Sequence, residues 1–300
     1  MYHSFRPGEE WLDTNGKPIQ AHGGSVFFEN GTYYWYGENK EYTDGKNGVW
    51  TWGVRCYSSQ DLYNWKDEGL IVPPDERDET SPLHPTAMLD RPHILYNRKT
   101  KKYVCWCKIM QKNGEQTETV LTSDRLLGPY TIQKTGLKPL GMSAGDFDLA
   151  VAPDGKGYYF FERVHSETII ADLTDDYCDV TGYYSTHFPH AGPPYVREAT
   201  AHFVRGGKHY LLTFRVQGTD LFIAMADRWL PDCTYAYEDY KKAFERRFIL
   251  GKPPLPEEEK YFSDAAANTS RSRYVWLPIR FEGEKPVIEW HTEWHLSDYI

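Results

Sequence analysis

Turns that contain Gly, Asn or Lys alternate along the chain with short runs of aromatic and aliphatic residues. The same unit occurs four times, as an apolar run, a tight turn and a second, Tyr-rich run. The first runs cover residues 25–28, 93–96, 149–152 and 201–204, and the second runs cover residues 32–37, 102–106, 156–161 and 207–212. Runs of this length, separated by such turns, predict antiparallel β-hairpins.

A second pair of strands is predicted after each of the first two hairpins. Residues 56–65 and 121–130 both carry Ser, Asp and Leu ahead of a Trp or Tyr, which is typical of a turn between two outer strands. Two hairpins make one four-stranded propeller blade, and the unit returns every ~50–70 residues. The pattern therefore predicts an all-β propeller, formed by residues 1–300 as a single domain.

The regular spacing of these units ends after residue 210. The next apolar run, residues 221–225, follows after a short turn, and no outer strand pair lies between them. We therefore expect a shortened fourth blade. Helical periodicity is confined to a charged stretch, residues 237–248, which predicts one short surface helix.

The amino-acid composition excludes some classes of binding partner. Aromatic residues make up 16% of the chain, with 23 Tyr and 10 Trp. Such residues favour strands, and their rings also suit the C–H faces of sugars. The net charge of −9 and the absence of a basic cluster exclude nucleic acid as a predicted partner. No apolar run is long enough for a membrane helix. Residues 1–7 also lack the apolar core of a signal peptide. The sequence as given therefore predicts a cytoplasmic protein, or a secreted one if it is a mature form.

The cysteines do not form a recognisable disulfide framework, because their number is odd and their spacing irregular. They are Cys56, Cys105, Cys107, Cys178 and Cys233. Cys105 and Cys107 are two apart on a predicted strand and share one face. We expect buried free thiols, which favour a reducing compartment. The sequence contains no metal-ligand cluster, so no metal or other cofactor is predicted.

Three carboxylates occupy the same position relative to the predicted hairpins. Asp90, Asp146 and Glu198 each stand just upstream of a first strand, in successive blades. Such positions converge at one end of a propeller, although turn hydrogen bonds are the alternative for any single acid. Glycoside hydrolysis needs one carboxyl to protonate the leaving oxygen and a second group to activate water or attack the sugar. A third carboxylate can keep the pKa of the acid high.

Several polar residues beside these positions are candidates for sugar binding. Gln20 and His22 begin the first inner strand, where the following glycines permit close approach of a substrate. Arg91 and Arg197 adjoin two of the candidate acids. They are predicted either to orient sugar hydroxyls or to pair with the carboxylates.

Aromatic platforms and one further acid complete the candidates. Trp35 and Tyr36 are candidate stacking platforms for a sugar ring, with core packing as the alternative. Asp148 is expected to point to the face of its strand opposite Asp146 and to have a structural role.

An ordered set of motifs resembles glycoside hydrolase family 43, and the likeness extends over nearly the whole chain. The motifs lie at residues 19–24, 33–38, 90–92, 197–199, 227–229 and 272–278. They are most similar to the branch that contains exo-β-1,3-galactanases. The resemblance implies a five-bladed β-propeller and an inverting enzyme. It also implies that Glu198 is the general acid, that Asp146 tunes the pKa of this acid, and that Asp90 lies in the site.

The sequence departs from the family pattern at the general base. Most of the family carries an Asp at the start of the first inner strand, where this chain has Gly23. The resemblance to the galactanase-like branch implies a Gln base from a later blade, which would lie in the shortened segment at about residues 213–220. Gln217 is a residue of the right type in that segment.

Three functions remain open from the sequence. The first is an exo-acting glycosidase that removes galactose from β-linked galactan-type chains, with arabinofuranosidase or xylosidase activity as the alternative in the same class. The second is a non-catalytic sugar-binding propeller that lacks its base. The third is a propeller that binds another protein.

Overall fold

The computed structural model describes residues 1–163, 166–189, 199–211, 214–231, 236–262 and 268–299. It is an all-β propeller whose sheets follow one another along the chain as antiparallel meanders. The first sheet contains β1 (His22–Glu29), β2 (Thr32–Glu38), β3 (Val54–Ser59) and β4 (Lys66–Val72). The second contains β5 (Met88–Asn97), β6 (Lys102–Met110), β7 (Gln116–Ser123) and β8 (Thr131–Leu137).

The later sheets are less uniform. The third sheet contains β9 (Ala144–Val151), β10 (Gly157–Arg163), β11 (Glu167–Leu173) and β12 (Val180–His187). A two-stranded sheet follows, with β13 (His202–Arg205) and β14 (Lys208–Leu211). The last sheet contains β15 (Phe214–Arg215), β16 (Phe222–Arg228), β17 (Arg273–Glu282) and β18 (Lys285–Ile288). In the described part of the chain, β13 and β14 have no outer strands, as the sequence predicted.

Local sequence explains the hairpins. In the turn between β1 and β2, Asn30 and Gly31 have φ of 50° and 79°, and a turn with two such residues matches the twist of the paired strands. The predicted hairpins at β5–β6, β9–β10 and β13–β14 also form. The predicted helix is present as α1 (Tyr237–Phe244), followed by one wider turn.

The first strand of each sheet faces a central channel. The strand β1 contacts β5 and β16, β5 contacts β9, and β13 contacts β9 and β15. A cavity of about 340 Å³ lies along this axis and is lined by residues of all these inner strands. Among them are Ser25, His93, Leu149, Phe203 and Arg215.

Apolar clusters fill the spaces between neighbouring sheets. A Trp-rich cluster joins the first sheet, through Trp35, to the last sheet, through Trp276. Two further clusters join the first sheet to the second and the second to the third. The chain closes on itself where Phe5 and Trp294 exchange backbone hydrogen bonds. None of the helices within the described ranges has the length and hydropathy needed to cross a membrane.

The predicted buried thiols are confirmed where the structure describes them. Cys56, Cys105, Cys107 and Cys178 are free and buried, and the sulfurs of Cys105 and Cys107 are 3.8 Å apart. Cys233 lies outside the described residues.

Candidate active site

One end of the channel gathers charged side chains from four sheets. A cavity of about 200 Å³ at this end is lined by residues that include Gly23, Arg91, Ala199, Asp227 and Trp229. Asp90 and Asp146 lie at the same end. They were expected just upstream of their strands, but the structure places them inside β5 and β9, near where these strands begin.

Asp146 is held by two cations. Lys108 Nζ donates to its Oδ1 at 2.6 Å, and Arg91 lies 2.8 Å from its Oδ2. The amide of Ala199 donates to the same Oδ2 at 3.2 Å. Burial by itself would raise the pKa of Asp146, but Arg91 and Lys108 outweigh it and lower this pKa to about 2. Asp146 is therefore ionised at neutral pH.

Asp90 shares one of these cations with Asp146. The indole Nε1 of Trp50 donates to Asp90 Oδ1 at 2.7 Å, and Lys108 Nζ lies 3.8 Å from its Oδ2. Lys108 therefore links the two carboxylates that the sequence placed in equivalent positions of neighbouring blades.

A buried ion pair lies behind this layer. Glu38 Oε2 is 2.8 Å from Lys40 Nζ, and both side chains are almost completely buried. Burial raises the pKa of Glu38 to about 7, although Lys40 opposes the shift. The amide of Arg91, a residue with φ of 51°, donates to Glu38 Oε1.

Glu38 also accounts for the glycine at the start of β1. Gly23 has φ of 57°, and a β-carbon at this position would overlap Glu38 Oε1. Any side chain at Gly23, including the Asp that the family pattern would place there, is incompatible with this position of Glu38.

Asp227, at the end of β16, is a site residue that the sequence analysis did not select. Its Oδ2 accepts a hydrogen bond from the Gly23 amide at 2.7 Å, and its Oδ1 lies 3.2 Å from His22 Nδ1. Its side chain is 10% exposed. The only signal in the sequence was the Asp-Arg-Trp motif at residues 227–229.

Four of the predicted sugar-binding side chains are buried, and for Trp35 and Tyr36 this favours the alternative of core packing. Gln20 donates to the carbonyl of Ser270, and His22 stacks on Tyr274. Trp35 and Tyr36 are 0% and 1% exposed, because both faces of β2 pack against neighbouring elements.

The structure instead exposes two other indoles at the site. Trp50 is 37% exposed and is bonded to Asp90. Trp229 is half-buried and lines the same cavity as Asp227. Lys40 Nζ lies over both rings, at 4.7 Å and 5.9 Å from their centroids. The loop between β2 and β3 that carries Trp50 has no strand pattern, so its position could not be predicted.

Asp148 does not point away from Asp146, and this prediction was wrong. Residues two apart on a strand share a face. Asp148 Oδ1 is 3.1 Å from His93 Nε2, and its Oδ2 accepts a hydrogen bond from the His202 amide. Both aspartates thus connect the second sheet to the segment around β13.

Gln217 lines the cavity of about 340 Å³ together with Gly23, Arg91 and Asp148. Its amide donates to the hydroxyl of Tyr33, which pairs with Phe28 in the β1–β2 hairpin. The role of Gln217 as the general base therefore stays a prediction.

Glu198 and Arg197 lie outside the described residues. The next residue in the sequence, Ala199, is described and contacts Asp146. In the described part of the chain, no three His, Cys, Asp or Glu side chains are grouped so that they could hold a metal ion.

Comparison with known proteins identifies the family. The model of glycosyl hydrolases family 43 matches residues 18–225. The chain belongs to glycoside hydrolase family 43. No curated protein sequence gives a match.

Solved structures of family 43 enzymes resemble the whole chain. One, a β-1,3-galactosidase, is 28% identical, with a TM-score of 0.75 over 99% of this chain and 64% of the other. A second β-1,3-galactosidase, solved with galactodeoxynojirimycin, is 27% identical, with a TM-score of 0.70 over 97% of this chain and 100% of the other. An exo-β-1,3-galactanase from Phanerochaete chrysosporium, solved with β-1,3-galactotriose, shares the fold at 20% identity, with a TM-score of 0.74 over 98% of this chain and 68% of the other. The family 43 chain therefore spans about two thirds of the length of the first and third of these structures.

Proposed function

We propose that this family 43 chain hydrolyses β-linked galactosides, releasing galactose from the ends of galactan-type chains with inversion at the anomeric carbon. Two solved structures more than 25% identical to it are β-1,3-galactosidases, and one of them was solved with galactodeoxynojirimycin. In this proposal Glu198 is the general acid, and the substrate is an oligosaccharide or polysaccharide.

We propose that the two-stranded sheet is a reduced blade, which makes the propeller five-bladed and residues 1–300 one domain. Its inner strand contacts those of the sheets before and after it. The pairing of Phe5 with Trp294, near the two ends of the chain, supports a single closed unit.

The observation that carries the catalytic proposal is the contact between Ala199 and Asp146. Glu198 precedes Ala199 in the sequence, and Asp146 is ionised because Arg91 and Lys108 lower its pKa. A negative charge beside an acid disfavours its ionisation. Asp146 would therefore keep Glu198 protonated near neutral pH, as a general acid must be.

The described residues also offer groups that suit a sugar. The side chain of Arg91 is 28% exposed, and its guanidinium can donate to hydroxyls. The exposed faces of Trp50 and Trp229 can carry the C–H face of a pyranose. These groups replace Trp35 and Tyr36 as proposed platforms.

A second candidate function is sugar binding without turnover. It is favoured by Gly23, which supplies no carboxylate at the usual position of the base, and by the reduced sheet β13–β14. The same pocket would then hold a saccharide and leave its glycosidic bond intact.

The test compares wild-type protein with Glu198→Gln on β-1,3-galactan and on an aryl β-galactoside. We expect galactose release from galactan to fall about 10²–10⁴-fold, because a natural leaving group needs a proton from the acid. Glu76→Gln, at an exposed position, is the matched control and should retain wild-type activity.

Two outcomes would contradict the proposal. Saccharide binding without turnover by the wild type would favour the second candidate. Faster hydrolysis of an aryl arabinofuranoside or xyloside would reassign the sugar and leave the class of enzyme unchanged.

A further inference from the structure

Three described carboxylates lie at the catalytic end of the channel, and they differ in the groups that contact them. Asp90 and Asp146 both lie near Lys108, and Asp146 also contacts Arg91. Asp227 contacts the Gly23 amide and the His22 ring. Among the described residues, no Lys or Arg lies within ion-pair distance of Asp227.

We propose that Asp227 is the general base that activates the attacking water. This inference rests on the proposed galactosidase activity and supplies the catalytic partner that Gly23 cannot. Its support is the position of the Asp227 carboxylate against the Gly23 amide, at the edge of a cavity that Ala199 also lines.

The surroundings of Asp227 fix its orientation. His22 is fully buried, stacks on Tyr274 and lies 3.2 Å from the Tyr274 hydroxyl through Nε2. With the proton on Nδ1, His22 donates to Asp227 Oδ1, while the Tyr274 hydroxyl donates to the carbonyl of Ile19. His22 is therefore a positioning residue, and Asp227 keeps lone pairs for a water on its exposed edge.

The other carboxylates are less suited to this role. Two cations hold Asp146, which makes it a weak base that carries charge at neutral pH. Asp90 accepts from Trp50 and also lies near Lys108. Glu38 is 2% exposed and has no open edge toward the cavity.

The reaction step balances with these two groups. Asp227 accepts a proton from water as the water oxygen bonds to the anomeric carbon. The bond from that carbon to the glycosidic oxygen breaks with its electron pair on the oxygen, which takes the proton of Glu198. Asp227 ends protonated and Glu198 ionised, and exchange with solvent restores both.

The sheets that supply these groups fit an inverting reaction. Asp227 comes from the last sheet, whereas Ala199 precedes β13 and contacts the third sheet. An inverting reaction needs an acid and a base on opposite sides of the sugar, with their carboxyl groups ~6.5–9.5 Å apart.

The experiment uses 2,4-dinitrophenyl β-galactoside, whose leaving group departs without a proton. On this substrate Glu198→Gln should retain most of its kcat, whereas Asp227→Asn should lose about 10²–10⁴-fold, because water must be activated whatever the leaving group is. Added sodium azide should restore turnover by Asp227→Asn and yield α-galactosyl azide, since azide attacks without losing a proton.

Asp90→Asn and Asp124→Asn are the comparison variants. Asp124 is exposed and pairs with Lys102, so its variant should behave as wild type. Azide rescue of Asp90→Asn in place of Asp227→Asn would overturn the assignment, as would an Asp227→Asn variant with wild-type kcat. Either result leaves the galactosidase proposal standing, whereas a wild type without turnover contradicts both proposals.

Discussion

At the scale of single residues, the site is a set of carboxylates whose charge is decided by the cations beside them. Lys108 contacts Asp146 at 2.6 Å and lies 3.8 Å from Asp90, while Arg91 holds the second oxygen of Asp146. Removing one partner of such a buried group costs more than the pair contributes, because the remaining charge is left uncompensated. The charges of these two carboxylates and two cations therefore depend on one another.

Replacing Asp146 should change the pH dependence of activity. In Asp146→Asn the negative charge beside the Glu198 segment is lost, and the charges of Arg91 and Lys108 are no longer balanced. Both changes favour the ionised form of Glu198, so its pKa falls. The alkaline limb of the kcat profile should move to lower pH by about 1 unit or more. Profiles of kcat between pH 4 and 9 measure this, and an unmoved limb in Asp146→Asn contradicts the proposed role.

At the scale of elements, the two-stranded sheet β13–β14 depends on the sheet that follows it. An isolated pair of strands is marginally stable. Phe203 of β13 stacks on Tyr210 at 4.9 Å and packs against Phe222 at 4.3 Å. The hydroxyl of Tyr210 donates to the carbonyl of Glu284, in the turn between β17 and β18. The last sheet thus supplies contacts that the outer strands of a four-stranded sheet would normally make.

Truncating Phe203 should destabilise the protein. Phe203 is 6% exposed, and Phe203→Ala should lower the free energy of unfolding by about 3–5 kcal/mol. Urea unfolding measures the change. Phe188→Ala, at a position that is 59% exposed, is the matched control and should be nearly neutral. Equal stabilities of the two variants would show that β13–β14 does not rely on this cluster.

At the scale of the whole molecule, closure of the ring joins residues near both ends of the chain. Trp294 stacks on Phe5 at 4.2 Å, and its indole donates to the carbonyl of Trp276. These contacts extend the Trp-rich cluster between the first and last sheets. Gly23 and Asp227 lie on those two sheets, so the same interface also sets the distance between β1 and the proposed base.

The loss of Trp294 should therefore affect both stability and catalysis. Trp294 is 2% exposed, and Trp294→Ala should lower the free energy of unfolding by about 3–5 kcal/mol. Trp290→Ala, at a position that is 59% exposed, is the control. The melting temperature and kcat should both fall in Trp294→Ala, and both should stay close to the wild-type values in Trp290→Ala. If Trp294→Ala had the same melting temperature as the control, closure of the ring through Trp294 would contribute little to stability.

The sequence by itself determined the features that depend on neighbouring residues. The hairpins were predictable because turns such as Asn30-Gly31 act locally, and the all-β architecture follows from their repetition. The short fourth sheet and the helix near residue 237 were predictable for the same reason. Asp90 and Asp146 were found because their positions repeat from blade to blade.

Only the tertiary structure decided which side chains meet. Alternation along a strand shows which residues share a face, but both faces of a propeller blade are packed, so it could not show that Trp35 is buried. The positions of Trp50, Asp227 and Gln217 depend on loops and on separate sheets that come together when the ring closes. Contacts between residues so far apart in sequence leave no local pattern, which is why the proposed base was visible only in the folded chain.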